Sequence, residues 1–338
     1  MTVHSRPYPI KLSPATIEEV FLAYGDDIQA VENQIKKSLS SRIDLVNSVS
    51  SYILDSGGKR LRPLLLMIIS RLLGYQGTDN VILAGVVEFI HTATLLHDDV
   101  IDEAALRRGK KAARMVWGNQ ASILVGDYLF SRSFVDTVAL NRHDINALLS
   151  KTCQVLSEGE ILQLVYTSDF SMTEQNYLSI IEAKTSSLIS LACRMGGLIA
   201  GASQIELEAL LRFGSNLGVA YQMADDTLDY TADKGLLGKT LGQDFKEGKI
   251  TLPLLHLMAH CSAEEKKKVE VMFHQERLEE NALIYVQRLL HEYHSIEYAM
   301  VQAESYSDKA RQELALFPSS PHKDALYVIS DYVITRNR

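Results

Sequence analysis

Cysteine is scarce in this chain, with three in 338 residues. Cys153, Cys193 and Cys261 are odd in number and far apart, and none has the paired spacing of a zinc site. That excludes a disulfide framework and predicts three buried thiols in a reducing compartment. Proline is scarce too: there are seven, with none between Pro63 and Pro253, so helical patterns can run there without their strongest breaker. A basic surplus is missing, because 34 Lys plus Arg against 42 Asp plus Glu leave a net charge of −8. This argues against nucleic acid as the main partner, which needs a broad face rich in Lys and Arg. No stretch approaches 18 uncharged apolar residues: residues 64–69 are too few, and residues 81–90 contain Glu88. Residues 1–10 are basic but lack the apolar run of a secretory signal, so the expected location is the cytoplasm. What remains is a 46% hydrophobic chain, ordinary for a globular protein and rich enough to bury a sizeable core.

Ile17, Val20, Phe21, Tyr24, Ile28, Val31 and Ile35 recur at three- and four-residue steps. They follow Thr16-Ile17-Glu18-Glu19, which has capping-box spacing, so one amphipathic helix is predicted there. The same period returns in Val81, Ala84, Val87, His91, Thr94 and Leu95, and in Phe213, Leu217, Ala220 and Ala224. Strand alternation flanked by Asn-Gly or Asp-Gly turns is absent. Glycine-containing breaks at 74–77, 109, 196–197, 201 and 235–248 read as inter-helix connections or close packing points. With no linker, repeat or composition shift, the pattern predicts one all-α domain over residues 1–338, a helical bundle.

Two aspartate clusters carry the strongest chemical signal: Asp98-Asp99-Val100-Ile101-Asp102 and Asp225-Asp226-Thr227-Leu228-Asp229, each of the form DDxxD. Residues four apart share one helix face, so Asp98 sits beside Asp102 and Asp225 beside Asp229. Like charges so placed repel, and within apolar helices they call for a positive counterpart. Magnesium fits, because it prefers hard oxygen ligands and binds through a few carboxylates plus substrate phosphates. One such cluster alone reads as readily as a solvated acidic helix end; two in the same register do not.

Basic residues surround both clusters. Gly57-Gly58-Lys59-Arg60-Leu61-Arg62-Pro63 sets three cations beside two glycines, and Arg107-Arg108-Gly109-Lys110-Lys111 follows the first cluster. Gly238-Lys239-Thr240-Leu241-Gly242 and Glu247-Gly248-Lys249 follow the second. Arg offers a planar fork for phosphate oxygens, Lys a point charge, and Gly lets backbone amides approach. Each basic run taken singly reads as a solvated loop; together with two acid claws they describe a site for a polyphosphate and metal. The glycine pattern is not the Gly-x-x-x-x-Gly-Lys-Ser/Thr of a nucleotide loop, and no strand precedes it.

The order of these pieces resembles the trans-prenyltransferase, or polyprenyl synthase, family from about residue 57 to about residue 255. Agreement extends to His91-Thr92-Ala93-Thr94-Leu95-Leu96-His97, Glu182-Ala183-Lys184-Thr185, Tyr221-Gln222 and Thr251-Leu252-Pro253. In detail the chain is similar to the bacterial octaprenyl diphosphate synthases. The resemblance implies an isoprenoid-synthase helical bundle with a central cavity, a homodimer, and repeated head-to-tail condensation of isopentenyl diphosphate onto an allylic diphosphate such as farnesyl or geranyl. The implied product is a long all-trans chain, octaprenyl diphosphate for a quinone, with heptaprenyl, solanesyl or shorter chains as alternatives. Access to a membrane would arise only transiently, on product release.

By motif position, the resemblance gives Asp98, Asp102 and Asp225 to three magnesium ions, with Asp99, Asp226 and Asp229 as supporting members. It gives Arg107, Lys184, Thr185, Gln222 and Lys239 to the allylic substrate, and Lys59, Arg62, His91 and Arg108 to isopentenyl diphosphate; Lys249 and Gly58 match those two sets more loosely. Diphosphate leaves poorly until its charge is neutralised, and the allylic cation must be kept from water, so cations and metal clustered at one end of apolar helices suit this reaction.

Ala93 and Thr94 lie about one helical turn ahead of Asp98. Short-chain relatives carry bulky aromatics there, so small residues imply room for a growing chain; plain helix packing competes for Ala93. Phe130 and Phe134 are candidates for the tunnel floor, against a simple core role. Glu88-Phe89-Ile90-His91 has the Glu-x-x-His form of a di-iron bundle, but no second copy exists, so His91 goes by resemblance to phosphate contact and His97 to a structural hydrogen-bonding role. Gln243 stands before Asp244 where many relatives carry Asp. Competing readings are a terpene cyclase, a metal-dependent phosphohydrolase, and a non-catalytic helical partner subunit.

Overall fold

The computed structural model of the chain describes residues 13–231, 242–274 and 280–335. Its order begins α1 (Ile17–Ala23), α2 (Gly25–Ser38), α3 (Asp44–Leu54), α4 (Leu61–Leu72) and α5 (Asp79–Ile101). A hairpin of β1 (Leu106–Arg107) and β2 (Lys110–Lys111) leads to α6 (Ala113–Val138), α7 (His143–Val165) and α8 (Glu174–Ile181). A π-helical turn, Glu182–Ser186, joins α8 to α9 (Ser187–Ile199), followed by α10 (Gln204–Thr231) and α11 (Gln243–Lys246). Then come α12 (Leu252–His260), α13 (Ala263–Phe273), α14 (Glu280–Glu292), α15 (Ser295–Glu313) and α16 (Pro321–Thr335).

The class is all-α, as the periodicity predicts. Thr16 caps α1, its hydroxyl accepting the Glu19 N–H at 3.3 Å. The single helix expected across residues 17–35 is two, because the chain breaks at Tyr24. Tyr24 is buried and its hydroxyl meets His322 Nδ1 at 2.5 Å. The break lets α1 pack on α16 while α2 packs on α5. Gly109 joins strands, not helices: Arg108 (φ 51°) and Gly109 (φ 75°) form the two-residue left-handed turn of the hairpin, which pairs Leu106 with Lys111 and Arg107 with Lys110. For Arg108 that backbone is strained, a cost found where a side chain must be aimed.

Helices α4, α5, α9 and α10 form the interior. Residues 64–69 of α4 are wholly buried, and α5 is buried round most of its circumference. By length and composition α5 could cross a membrane, yet 67% of its most apolar stretch is covered by the fold. Gly218 of α10 sets how closely α10 approaches the π-helical turn: a Cβ there would lie 2.5 Å from the Ser186 Cα. That contact fixes the spacing of Thr185 from Gln222, described below. Gly218→Ala is therefore expected to cost about 2 kcal/mol by overpacking, read as a lower urea midpoint; an unchanged midpoint would show that the turn gives way freely.

Candidate active site

The first cluster ends α5, with Asp102 as the residue that closes the helix. Its members face different ways. Asp99 is wholly buried, its Oδ1 accepting from Arg107 Nε at 2.6 Å while Oδ2 is buried with no hydrogen-bond partner. Asp98 is half-buried, and burial pushes its carboxyl up to about 7, with the Glu160 carboxylate adding and the Lys184 ammonium opposing. Asp102 accepts a 2.8 Å bond from Lys249 Nζ.

The second cluster lies in the last turns of α10. Asp226 points inward: Tyr177 Oη donates to its Oδ2 and Gln222 Nε2 to its Oδ1, both at 2.7 Å. Burial raises it to about 7, opposed by those hydrogen bonds. Asp225 and Asp229 are half-buried on the neighbouring face, and Asp229 Oδ2 accepts the Asp244 N–H at 2.9 Å. Asp244 itself is raised well above the usual carboxylate range by burial, then by Asp226 and Asp229. The middle aspartates thus brace the clusters, while the outer ones present carboxylates.

A short chain of bonds joins the clusters. Asp229 holds the Asp244 N–H, the Asp244 carbonyl accepts the Lys249 N–H at 2.8 Å, and Lys249 Nζ reaches Asp102. Lys184 and Thr185 sit in the π-helical turn, whose extra residue re-aims them. Lys184 Nζ meets Glu160 at 2.6 Å and Gln163 at 2.5 Å, and Thr185 Oγ1 donates to Gln222 Oε1 at 2.7 Å.

A basic pocket lies alongside. Arg62 Nη1 is 3.4 Å from His91 Nε2, and burial together with Arg62, Arg108, Arg107 and Arg60 holds His91 well below its usual range, hence neutral at pH 7. Burial also lowers Arg62 and Arg108. Gly58 (φ 146°) lies under the Arg108 guanidinium, where a Cβ would come within 2.7 Å of Nη1. Glu88 is committed to Arg60 at 2.5 Å, which removes it from any metal role. Arg60, Arg62 and Arg108 gathered around His91, with only Arg60 of them paired to Glu88, describe an anion site. Lys59 lies over the Tyr332 ring, 4.5 Å from its centroid, so the C-terminal helix reaches this loop.

Ala93 is wholly buried in the core cluster that includes Val125 and Leu129 of α6, with Phe130 and Phe134 packed at its edge. Thr94 is half-buried, its hydroxyl donating to the His91 carbonyl at 2.8 Å. His97 Nε2 lies 3.1 Å from the Ile123 carbonyl and its ring stacks on Phe130. Lys239 falls outside the described residues.

The donor set suits a hard divalent ion: the outer members of both clusters are carboxylates only, and Asp98 among them is raised chiefly by burial. Among the described residues no three His, Cys, Asp or Glu side chains already form a cage. Sequence reading missed Glu160, Gln163, Tyr177 and Tyr332, which lie outside the motifs and which only the fold brings to them.

The family model for polyprenyl synthetase matches residues 43–290. The octaprenyl diphosphate synthase of Escherichia coli K12 is 38% identical over 95% of this chain and 99% of its own. The all-trans-nonaprenyl-diphosphate synthase (geranyl-diphosphate specific) of Rhodobacter capsulatus is 35% identical over 94% of this chain and 98% of its own. Among solved structures, a polyprenyl synthase from Caulobacter crescentus CB15 complexed with calcium and isoprenyl diphosphate superposes with a TM-score of 0.92 at 37% identity, covering 96% of this chain and 98% of that one.

Asp98 and Asp226 keep their protons above the ordinary carboxylate range near 4. Between about pH 4 and about 7 the folded metal-free protein then binds more protons than the unfolded chain, so these groups cost stability as pH rises. Urea midpoints across that range should fall less steeply in Asp226→Asn than in the parent protein; parallel profiles would refute the assignment.

Proposed function

Since the chain belongs to the polyprenyl synthetase family, we propose that this site builds a long all-trans polyprenyl diphosphate, octaprenyl in length, by adding isopentenyl units to a farnesyl or geranyl primer. Prenyl transfer itself is the family's chemistry: the chain is a prenyltransferase that elongates trans-prenyl chains. The observation that carries the reading is the bond chain from Asp229 through Asp244 and Lys249 to Asp102, which ties two carboxylate clusters beside one basic pocket.

In this reading Asp98, Asp102 and Asp225 hold three magnesium ions in a family that is magnesium-dependent. Bound there, magnesium neutralises the diphosphate of the allylic substrate and makes it a better leaving group. Arg107, Lys184, Lys239 and Lys249 take the remaining negative charge, with Thr185 and Gln222 orienting it. Asp99 braces Arg107, and Asp226 braces Gln222, so each cluster aims a substrate ligand as well as presenting carboxylates. Arg62, Arg108, neutral His91 and Lys59 hold isopentenyl diphosphate, with Gly58 leaving space for Arg108. The apolar walls of α5 and α6 exclude water from the developing cation.

Ala93 and Thr94 set chain length in this scheme, with Phe130 and Phe134 deeper along α6. The enzyme is cytoplasmic, works as one domain over residues 1–338, and pairs as a homodimer through α6 and α7. Exposed Ile123, Leu124, Val135, Ile161, Leu164 and Val165 on those helices supply an apolar surface for that contact.

Purified protein with magnesium, farnesyl diphosphate and isopentenyl diphosphate is expected to yield a long product on chromatography, and absence of elongation would refute the proposal. Asp98→Ala should lower kcat by about a thousandfold or more with helical content unchanged by circular dichroism. Ala93→Phe should shorten the product while costing roughly 1–3 kcal/mol of stability; a wild-type product distribution from folded protein would show that this face does not limit chain length.

A further inference from the structure

Lys249 is shared between carboxylates from two parts of the fold. Its ammonium donates to Asp102 Oδ2 at 2.8 Å and to Glu247 Oε2 at 2.6 Å. The lysine side chain is 20% exposed, Asp102 24% and Glu247 15%, so solvent and salt screen these pairs far less than surface ones. Its backbone is fixed as well, by the bond to the Asp244 carbonyl and by Gly248, whose carbonyl accepts the Ser168 N–H at 2.9 Å.

We propose that Lys249 is a resident counter-ion that holds Asp102 before divalent metal arrives and yields that carboxylate to the metal, Glu247 being the berth that keeps the displaced ammonium paired. This rests on the assignment of Asp102 as a metal ligand. With the ammonium on Oδ2, a divalent cation on either oxygen of the same carboxylate would lie within a few ångströms of it and repel it, so metal binding at Asp102 favours release of the lysine. Glu247 lowers the cost of that exchange because the lysine loses one of two partners and not its only one. Until then the lysine ties Asp102 to the segment that carries Asp244. Lys184 repeats the arrangement at the first cluster: it lies within charge range of Asp98 and is held by Glu160, a glutamate outside both clusters.

Titration of the full chain with manganese(II) followed by electron paramagnetic resonance, with no diphosphate present, reads the exchange directly. Lys249→Met should bind manganese about fivefold more tightly, because the competitor is gone. Glu247→Gln should bind it more weakly, since the lysine then depends on Asp102 alone, and Lys249→Arg should stay near the parent value. Circular dichroism reports whether each variant folds; should Lys249→Met not fold, Glu247→Gln and Lys249→Arg carry the test. Unchanged or weaker binding in folded Lys249→Met, or unchanged binding in Glu247→Gln, overturns the exchange while leaving the metal assignment standing. Parent-like binding in Asp102→Ala would instead remove the metal assignment, and the exchange with it.

Discussion

The structure depends on charge compensation at the ends of two apolar helices. Helices α5 and α10 are buried along most of their length, and each carries a cluster of three aspartates at its C-terminal end, where the helix dipole is also negative. Carboxylates so placed repel one another and lose hydration, which is visible in the raised Asp98 and Asp226. The fold answers with specific donors: Arg107 for Asp99, Lys249 for Asp102, Tyr177 and Gln222 for Asp226. A site built this way is primed for additional positive charge.

Backbone geometry places those donors. The π-helical turn between α8 and α9 presents Lys184 and Thr185 in a phase that a regular helix would not supply, and Gly218 brings α10 close enough for Thr185 to reach Gln222. On the other side, the left-handed turn at Arg108-Gly109 lays one arginine over Gly58 while Arg107 reaches back to Asp99. One short hairpin therefore connects the acid cluster with the basic pocket. Strain at Arg108 and the extra residue in the π turn are local costs that the tertiary structure sustains for the sake of aim.

Much of this was legible in the residues. Helical periodicity gave the all-α class, and the two DDxxD clusters with their glycine-flanked basic runs gave the polyphosphate chemistry and, through resemblance, the family. In the sequence Gly109 reads as an inter-helix break because two-residue strands are too short for alternation to register. The break at Tyr24 was hidden for another reason: both segments keep the same apolar period, and only their separate packing partners divide them.

Sequence by itself determined which chemical groups are available, because residue type and i, i+4 spacing fix how carboxylates cluster on a helix without reference to anything distant. Tertiary structure alone decided their partners. Lys249 meets Asp102 across 147 residues, Tyr177 meets Asp226 across 49, and Lys59 rests on Tyr332 of the last helix. Contacts between residues far apart in the chain depend on how the helices pack, and no local pattern encodes that packing.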